Sequence, residues 1–261
     1  NSRPRDVWLI EVTGGPNTEC ATCPNYTYND LRDYYWPALV SGVLTYSNKT
    51  NLSYVGFSNG CRVGLSSLEL YNNGKNNSGY YNNGSEWKPM NLTARPVDKF
   101  IGVGCPGAFN GSSAFSENLG QHGQKILNYF TNKGINHITA YEVGKRLDSE
   151  CFLDLKCEFV ADSLIETGNS TISRNLGSDY LNFINNTTDT QPGLNLQIPR
   201  IVIIYGEHPS RVEQRSDGVV TEEDAFGILN AINATSEGVL RINGVKHNQL
   251  VENAFTELSI E

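Results

Sequence analysis

The chain has 261 residues, 38% of them hydrophobic and 18% charged, with a formal net charge of −8. A chain of this length buries a sizeable core as one α/β domain. Its negative balance and the lack of a basic stripe argue against nucleic acid or an anionic membrane as partner, and no apolar run approaches the eighteen or so residues that would span a bilayer.

The first predicted element is "DVWLIEV" (6–12), a continuous apolar run that reads as a buried parallel strand stopping at "TGGPN". Placed beside 52–57 by a right-handed crossover, it would have an open second edge. That edge is expected to be covered by sequence upstream of Asn1 in a longer precursor or by self-association with a second chain. "NDLRDYYWPALVSGVLTY" (29–46) opens on Asn or Asp as an N-cap and has helical spacing, with a kink expected at Pro37. Strand 52–57 and a helix over about 60–70 follow, giving the β-α-β-α rhythm of a parallel sheet.

Residues 72–97 are polar and rich in Gly and Asn, and read as a surface excursion before the strand "KFIGVGC" (99–105). Between 114 and 192 the pattern gives helices at 123–132, 138–147, 153–166 and 179–186 and no strand. The sheet resumes with "RIVIIYG" (200–206), helix 222–233, strand 238–244 and a last helix near 248–258. The fold class is therefore α/β: a mostly parallel sheet flanked by helices, with a core over 1–105 and 198–261 and an α-helical cap inserted over 106–197.

Between the strand 52–57 and its helix stands "GFSNG" (56–60). In such an elbow the first glycine removes bulk where the chain reverses and the second lets the helix pack closely, which leaves the Ser58 hydroxyl exposed at the sheet's edge. The helix N-terminus points at the same spot, so the Asn59 N–H is a candidate oxyanion donor. A serine needs a base and an orienting acid. Asp217, in "SDG" after strand 200–206, and His247, in "VKHNQL" after strand 238–244, leave the same edge of a parallel sheet. Glu207 is a rival acid, and Asp217 has the alternatives of capping the helix near 221 or forming an Asx-turn with Gly218. His122, His137 and His208 lack an address at a strand end beside Ser58.

These motifs, in the order Ser, Asp, His, resemble those of the α/β-hydrolase superfamily, in particular its lipase and carboxylesterase branches. "GFSNG" matches the nucleophile elbow, "YGEH…SDGVV" looks like the acid loop and "INGVKHNQL" is similar to the histidine loop. The resemblance covers most of 6–258, although the insertions at 72–97 and 106–197 match no motif. It implies Ser58 as nucleophile, His247 as general base and then acid, and Asp217 as the group orienting the imidazole. It also implies a second oxyanion donor, expected from Gly14 or Gly15 in "TGGP" or from the element covering strand 6–12. No cofactor or metal is implied. The expected substrate is a small ester or a lipid, with Phe109, Phe115, Tyr129, Phe130 and Tyr141 either lining an acyl site or forming the core of the cap. The competing reading is a surface adhesion or structural glycoprotein built on the same fold.

Eleven N-x-S/T sequons, at Asn25, Asn48, Asn51, Asn76, Asn83, Asn91, Asn110, Asn169, Asn185, Asn186 and Asn233, exceed the roughly four or five that this composition gives by chance. The excess points to a glycosylated, exported protein, secreted or at the cell surface. The six cysteines suit that compartment. Cys20–Cys23 and Cys151–Cys157 are local candidates for disulfides, and Cys61 and Cys105 either form a third or remain buried thiols. No leader precedes the first strand, so export implies that a precursor begins further upstream.

Overall fold

A computed structural model describes residues 6–11, 30–72, 80–82, 87–89, 96–105, 121–123, 125–126, 128–130, 132–135, 137–151, 153–167, 171–173, 196–209 and 215–253. The apolar spacing after Asp30 produces a π-helical turn over Leu31–Tyr35 and then α1 (Trp36–Ser47). Pro37 lies in the first turn of α1, where its missing N–H costs no intrahelical bond. In place of the expected kink, the helix type changes just ahead of the proline. α1 stops at Asn48, whose φ of 53° is left-handed.

In chain order there follow β1 (Leu52–Phe57), α2 (Asn59–Asn72), a short antiparallel pair β2 (Tyr80–Asn82) and β3 (Trp87–Pro89), and β4 (Val97–Val103). After them come β5 (His137–Thr139), α3 (Ala140–Asp148), α4 (Leu155–Thr167), β6 (Thr171–Ser173), β7 (Leu196–Glu207), α5 (Glu222–Ala231) and β8 (Ile232–Asn243). α3 starts at a capping box in which the Thr139 hydroxyl accepts from the Glu142 N–H while the Glu142 carboxylate accepts from the Thr139 N–H.

β1, β4, β7 and β8 form one parallel sheet in the order β1-β4-β7-β8. One face contributes Tyr54, Phe100, Ile201, Ile203 and Tyr205 to the main core. They pack in one cluster with Trp36, Val40 and Leu44 of α1, Cys61, Val63 and Leu65 of α2, and Ala225 and Ile228 of α5. The opposite face carries Ile101, Val103 and Ile204, joined by Phe57 and closed by Val245 and Leu250 from the segment after β8. Each large apolar side chain so buried contributes about 1.5–3 kcal/mol relative to exposure, which fixes the strands' faces and so the direction in which their ends point.

Three expectations are corrected. The run 6–12 is not a buried strand: residues 6–11 are in neither helix nor strand, and Val7 and Leu9 are 87% and 98% exposed. Ile10 packs on the main core and Trp8 stacks on Tyr46 at 6.1 Å. Among the described residues β1 has no strand on its outer side, so this run lacks the ladder of backbone hydrogen bonds that would make it one. Residues 114–192 do contain strand, because β5 and β6 pair antiparallel from His137–Ser173 to Thr139–Thr171. β8 begins at Ile232, well before Gly238, and runs in register with β7 over its length.

Candidate active site

The position of Ser58 is built by close approach. β1 ends at Phe57, α2 starts at Asn59, and Ser58 between them has a φ of 49°, a left-handed conformation that costs a non-glycine residue on the order of 1 kcal/mol or more. Two backbone bonds hold it there. The Ser58 N–H donates to the Val103 carbonyl of β4 at 2.9 Å, and the Ser58 carbonyl accepts from the Arg62 N–H at 3.2 Å.

Of the two motif glycines, only Gly56 is sterically required. A Cβ there would lie 2.6 Å from Cys61 Cα, whereas one on Gly60 would meet nothing nearer than the Tyr54 hydroxyl at 3.9 Å. The close-packing role expected of Gly60 belongs to Gly64, whose Cβ would stand 2.9 Å from the Tyr54 ring. Burial pushes the Tyr54 phenol up to about 12, so this ring is a neutral donor across the neutral range.

The loop after β7 places the acid. The Asp217 side chain is buried, with Oδ1 accepting from the Val219 N–H at 2.9 Å and the Val220 N–H at 2.8 Å. Oδ2 lies 2.7 Å from His247 Nδ1, and the His247 N–H donates to the Asp217 carbonyl at 3.0 Å. The other ring nitrogen, Nε2, is 2.8 Å from Ser58 Oγ. Asp217 thus makes the local turn contacts and carries the imidazole as well. Glu207, at the end of β7, pairs instead with Arg241 at 3.7 Å.

The structure therefore brings Ser58, Asp217 and His247 together at one edge of the sheet. Asn59 is exposed and opens α2, where the leading N–H groups have no intrahelical acceptor. Gly14, Gly15, Phe109 and Phe115 lie outside the described residues. Phe130 is in the main core, Tyr141 is exposed, and Tyr129 is flanked by Lys133 and Arg146, each 4.4 Å from its ring centroid. Among the described residues two disulfides are formed, Cys61–Cys105 and Cys151–Cys157, so the alternative of Cys61 and Cys105 as free thiols is corrected; Cys20 and Cys23 lie outside the described residues. Asn48 and Asn51 are exposed and Asn233 is in β8. The remaining eight sequon asparagines, at 25, 76, 83, 91, 110, 169, 185 and 186, fall outside. Among the described residues no three His, Cys, Asp or Glu side chains cluster as metal ligands, and no helix is long and apolar enough to cross a membrane.

Sequence reasoning missed the support around this set. The Phe57 ring lies against the His247 imidazole, centroids 5.0 Å apart; its only signal was adjacency to Ser58. α4 braces the two later loops. Its Phe159 ring edge fills the space where a Gly218 side chain would be, and its Glu166 pairs with Lys246, next to His247, at 2.5 Å. Phe159 also packs edge-on to His208, centroids 4.5 Å apart, and burial together with the Lys246 charge lowers the pKa of His208.

No family model and no curated protein matches the chain. Solved structures do. A serine hydrolase from the polyaromatic-hydrocarbon-degrading bacterium Cycloclasticus zankles is 12% identical, with a TM-score of 0.52 over 95% of this chain and 76% of that one. The esterase EaEST from Exiguobacterium antarcticum is 13% identical, with a TM-score of 0.52 over 96% of this chain and 78% of that one. Est816, an N-acyl homoserine lactone degrading enzyme, is 15% identical, with a TM-score of 0.51 over 95% of this chain and 79% of that one. This chain has the α/β-hydrolase fold. At such identities the likeness speaks for the fold, and an α/β-hydrolase fold by itself hosts many activities. What this α/β-hydrolase fold can do chemically has to come from its own residues, and those at the sheet's edge form a hydroxyl, an imidazole and a carboxylate in hydrogen-bonded series.

Proposed function

We propose that the protein is a serine hydrolase acting on carboxylic esters. The observation that carries this reading is the unbroken series Ser58 Oγ–His247–Asp217, with contacts of 2.8 and 2.7 Å. Asp217 holds the proton of His247 on Nδ1, so Nε2 is free to act as base toward Ser58. Ser58 Oγ attacks the ester carbonyl as its proton passes to Nε2, and the oxyanion takes the Asn59 N–H and a second donor from Gly14 or Gly15. His247 then protonates the leaving alcohol, and water repeats the sequence to release the acid and restore the serine. No cofactor takes part in this cycle. The substrate class is a small ester or a lipid.

The sequon excess and the disulfides support the further reading that the protein is exported and glycosylated. A non-catalytic scaffold is the second reading, favoured by the exposure of Val7 and Leu9 and by there being, among the described residues, no strand on the outer side of β1.

A fluorophosphonate probe discriminates the two. Its phosphorus bonds to the activated serine oxygen, fluoride leaves, and the hydroxyl proton goes to the histidine. Stoichiometric labelling at Ser58, absent in Ser58→Ala, is the expected result. Folded protein that takes no label would leave the scaffold reading standing.

A further inference from the structure

The mechanism above uses Ser58, His247 and Asp217 and makes no use of the Cys61–Cys105 cross-link. Cys61 is in the first turn of α2, and its disulfide partner Cys105 directly follows Gly104. Both cysteines are fully buried. The strip 102–105 touches both halves of the site. A Cβ on Gly102 would stand 2.8 Å from Cys61 Sγ, so the sulfur rests on that backbone. The Val103 carbonyl accepts the Ser58 N–H. Gly104, with a φ of 53°, is the seat of the imidazole: a Cβ there would lie 2.9 Å from His247 Cε1 and 3.0 Å from Nδ1. Cys105 then returns covalently to the helix that carries the nucleophile.

We propose that the Cys61–Cys105 disulfide is a positioning element for the proposed reaction, tying the seat of His247 to the elbow of Ser58 and so fixing the gap between Oγ and Nε2. This rests on the triad reading. His247 is held to Asp217 through its ring and its backbone N–H, and neither bond involves the cross-link. Cutting the disulfide therefore loosens the Ser58–His247 contact and leaves the His247–Asp217 arm in place. Misplacement of a reacting group by about 1 Å costs on the order of 100-fold in rate, which makes a small relaxation of α2 against β4 measurable in turnover.

The test compares Cys61→Ala/Cys105→Ala with Cys151→Ala/Cys157→Ala, each well below its own melting temperature. The rate of fluorophosphonate labelling at Ser58 and the hydrolysis of p-nitrophenyl acetate are measured on both. Both variants lose stability, but only the first loses rate. The expected loss is on the order of 10- to 100-fold in labelling and in kcat, with KM within about twofold. The downfield proton signal of the Nδ1–H shared with Asp217 persists. If the first pair does not fold, Cys61→Val/Cys105→Ala restores part of the lost volume and serves the same comparison. A variant of the first pair that labels at the wild-type rate makes the cross-link a stabiliser only and overturns the proposal. Wild-type protein that takes no label overturns the triad reading, and this one with it.

Discussion

The hydroxyl of Tyr54, on the strand entering the elbow, donates to the carbonyl of Gly60, on the helix leaving it, at 2.9 Å. The same ring meets Trp36 edge-on at a centroid distance of 5.5 Å and Phe100 at 5.3 Å. One buried tyrosine thus joins α1, β1, β4 and the first turn of α2, and it decides which of the nearby glycines can change.

Gly60→Ala is expected to be tolerated, because nothing lies closer than 3.9 Å to the new methyl and alanine favours helix over glycine by up to about 1 kcal/mol. Gly56→Ala is expected to lose several kcal/mol or fail to fold, since its methyl would overlap both the Tyr54 ring and the Cys61 backbone. Chemical denaturation of the two variants checks this: equal stabilities would mean that the elbow relaxes freely.

Asp217→Asn should keep the contacts to Val219 and Val220 through its remaining oxygen but present an amide N–H to His247 Nδ1. The imidazole would then carry its proton on Nε2, facing Ser58, the wrong tautomer for a base. A fall in kcat on the order of 10⁴ is expected with little change in melting temperature. A variant retaining more than about a tenth of wild-type turnover would mean that Asp217 has only a structural part.

His208 gives a pH dependence with a definite sign. Its pKa is lowered in the folded protein, first by burial and then by Lys246, so the unfolded chain binds its proton more readily. Stability is then full above the ordinary histidine value near 6.5 and falls as pH drops below it, toward the folded value. Melting temperatures between pH 7.5 and 5 should decline in the wild type and decline less in His208→Gln. Parallel curves would exclude His208 as the source.

Export would leave a mark on mass. Protein from a secreting eukaryotic host is expected to exceed the polypeptide mass and to lose the excess to an N-glycosidase, with Asn48 and Asn51 among the modified sites because both are exposed. A mass equal to the bare chain would remove the compartment argument.

Much of the site was legible because its parts are local: a glycine-flanked serine between an apolar run and a helical pattern, then an acid and a histidine just past two β-branched runs. The errors share a cause, since they concern what a segment meets rather than what it is made of. "VWLIEV" has the composition of a buried strand, but composition cannot supply the neighbour whose backbone would pair with it. Three-residue strands such as β5 and β6 are too short to have a period. "INATSE" at the start of β8 is polar, and it becomes strand because β7 lies alongside. The role assigned to Gly60 belongs to Gly64 because the ring that demands space reaches across from β1, which no five-residue motif records. The brace formed by α4 depends on contacts between segments far apart in the chain.

The hydrogen bond between Ser58 and His247 closes over 189 residues. As the chain emerges from the ribosome, α2, β4 and the Cys61–Cys105 link can form while the base and the acid are still unmade, and contacts this distant in sequence are the slow ones to form. On the proposed mechanism the newborn protein carries an unactivated serine until β8 has added to β7 and the turn after it has come round. Chains stalled on the ribosome after β7 should take no fluorophosphonate, whereas released full-length chains should, so the interval before reactivity appears would time the docking of the last strand.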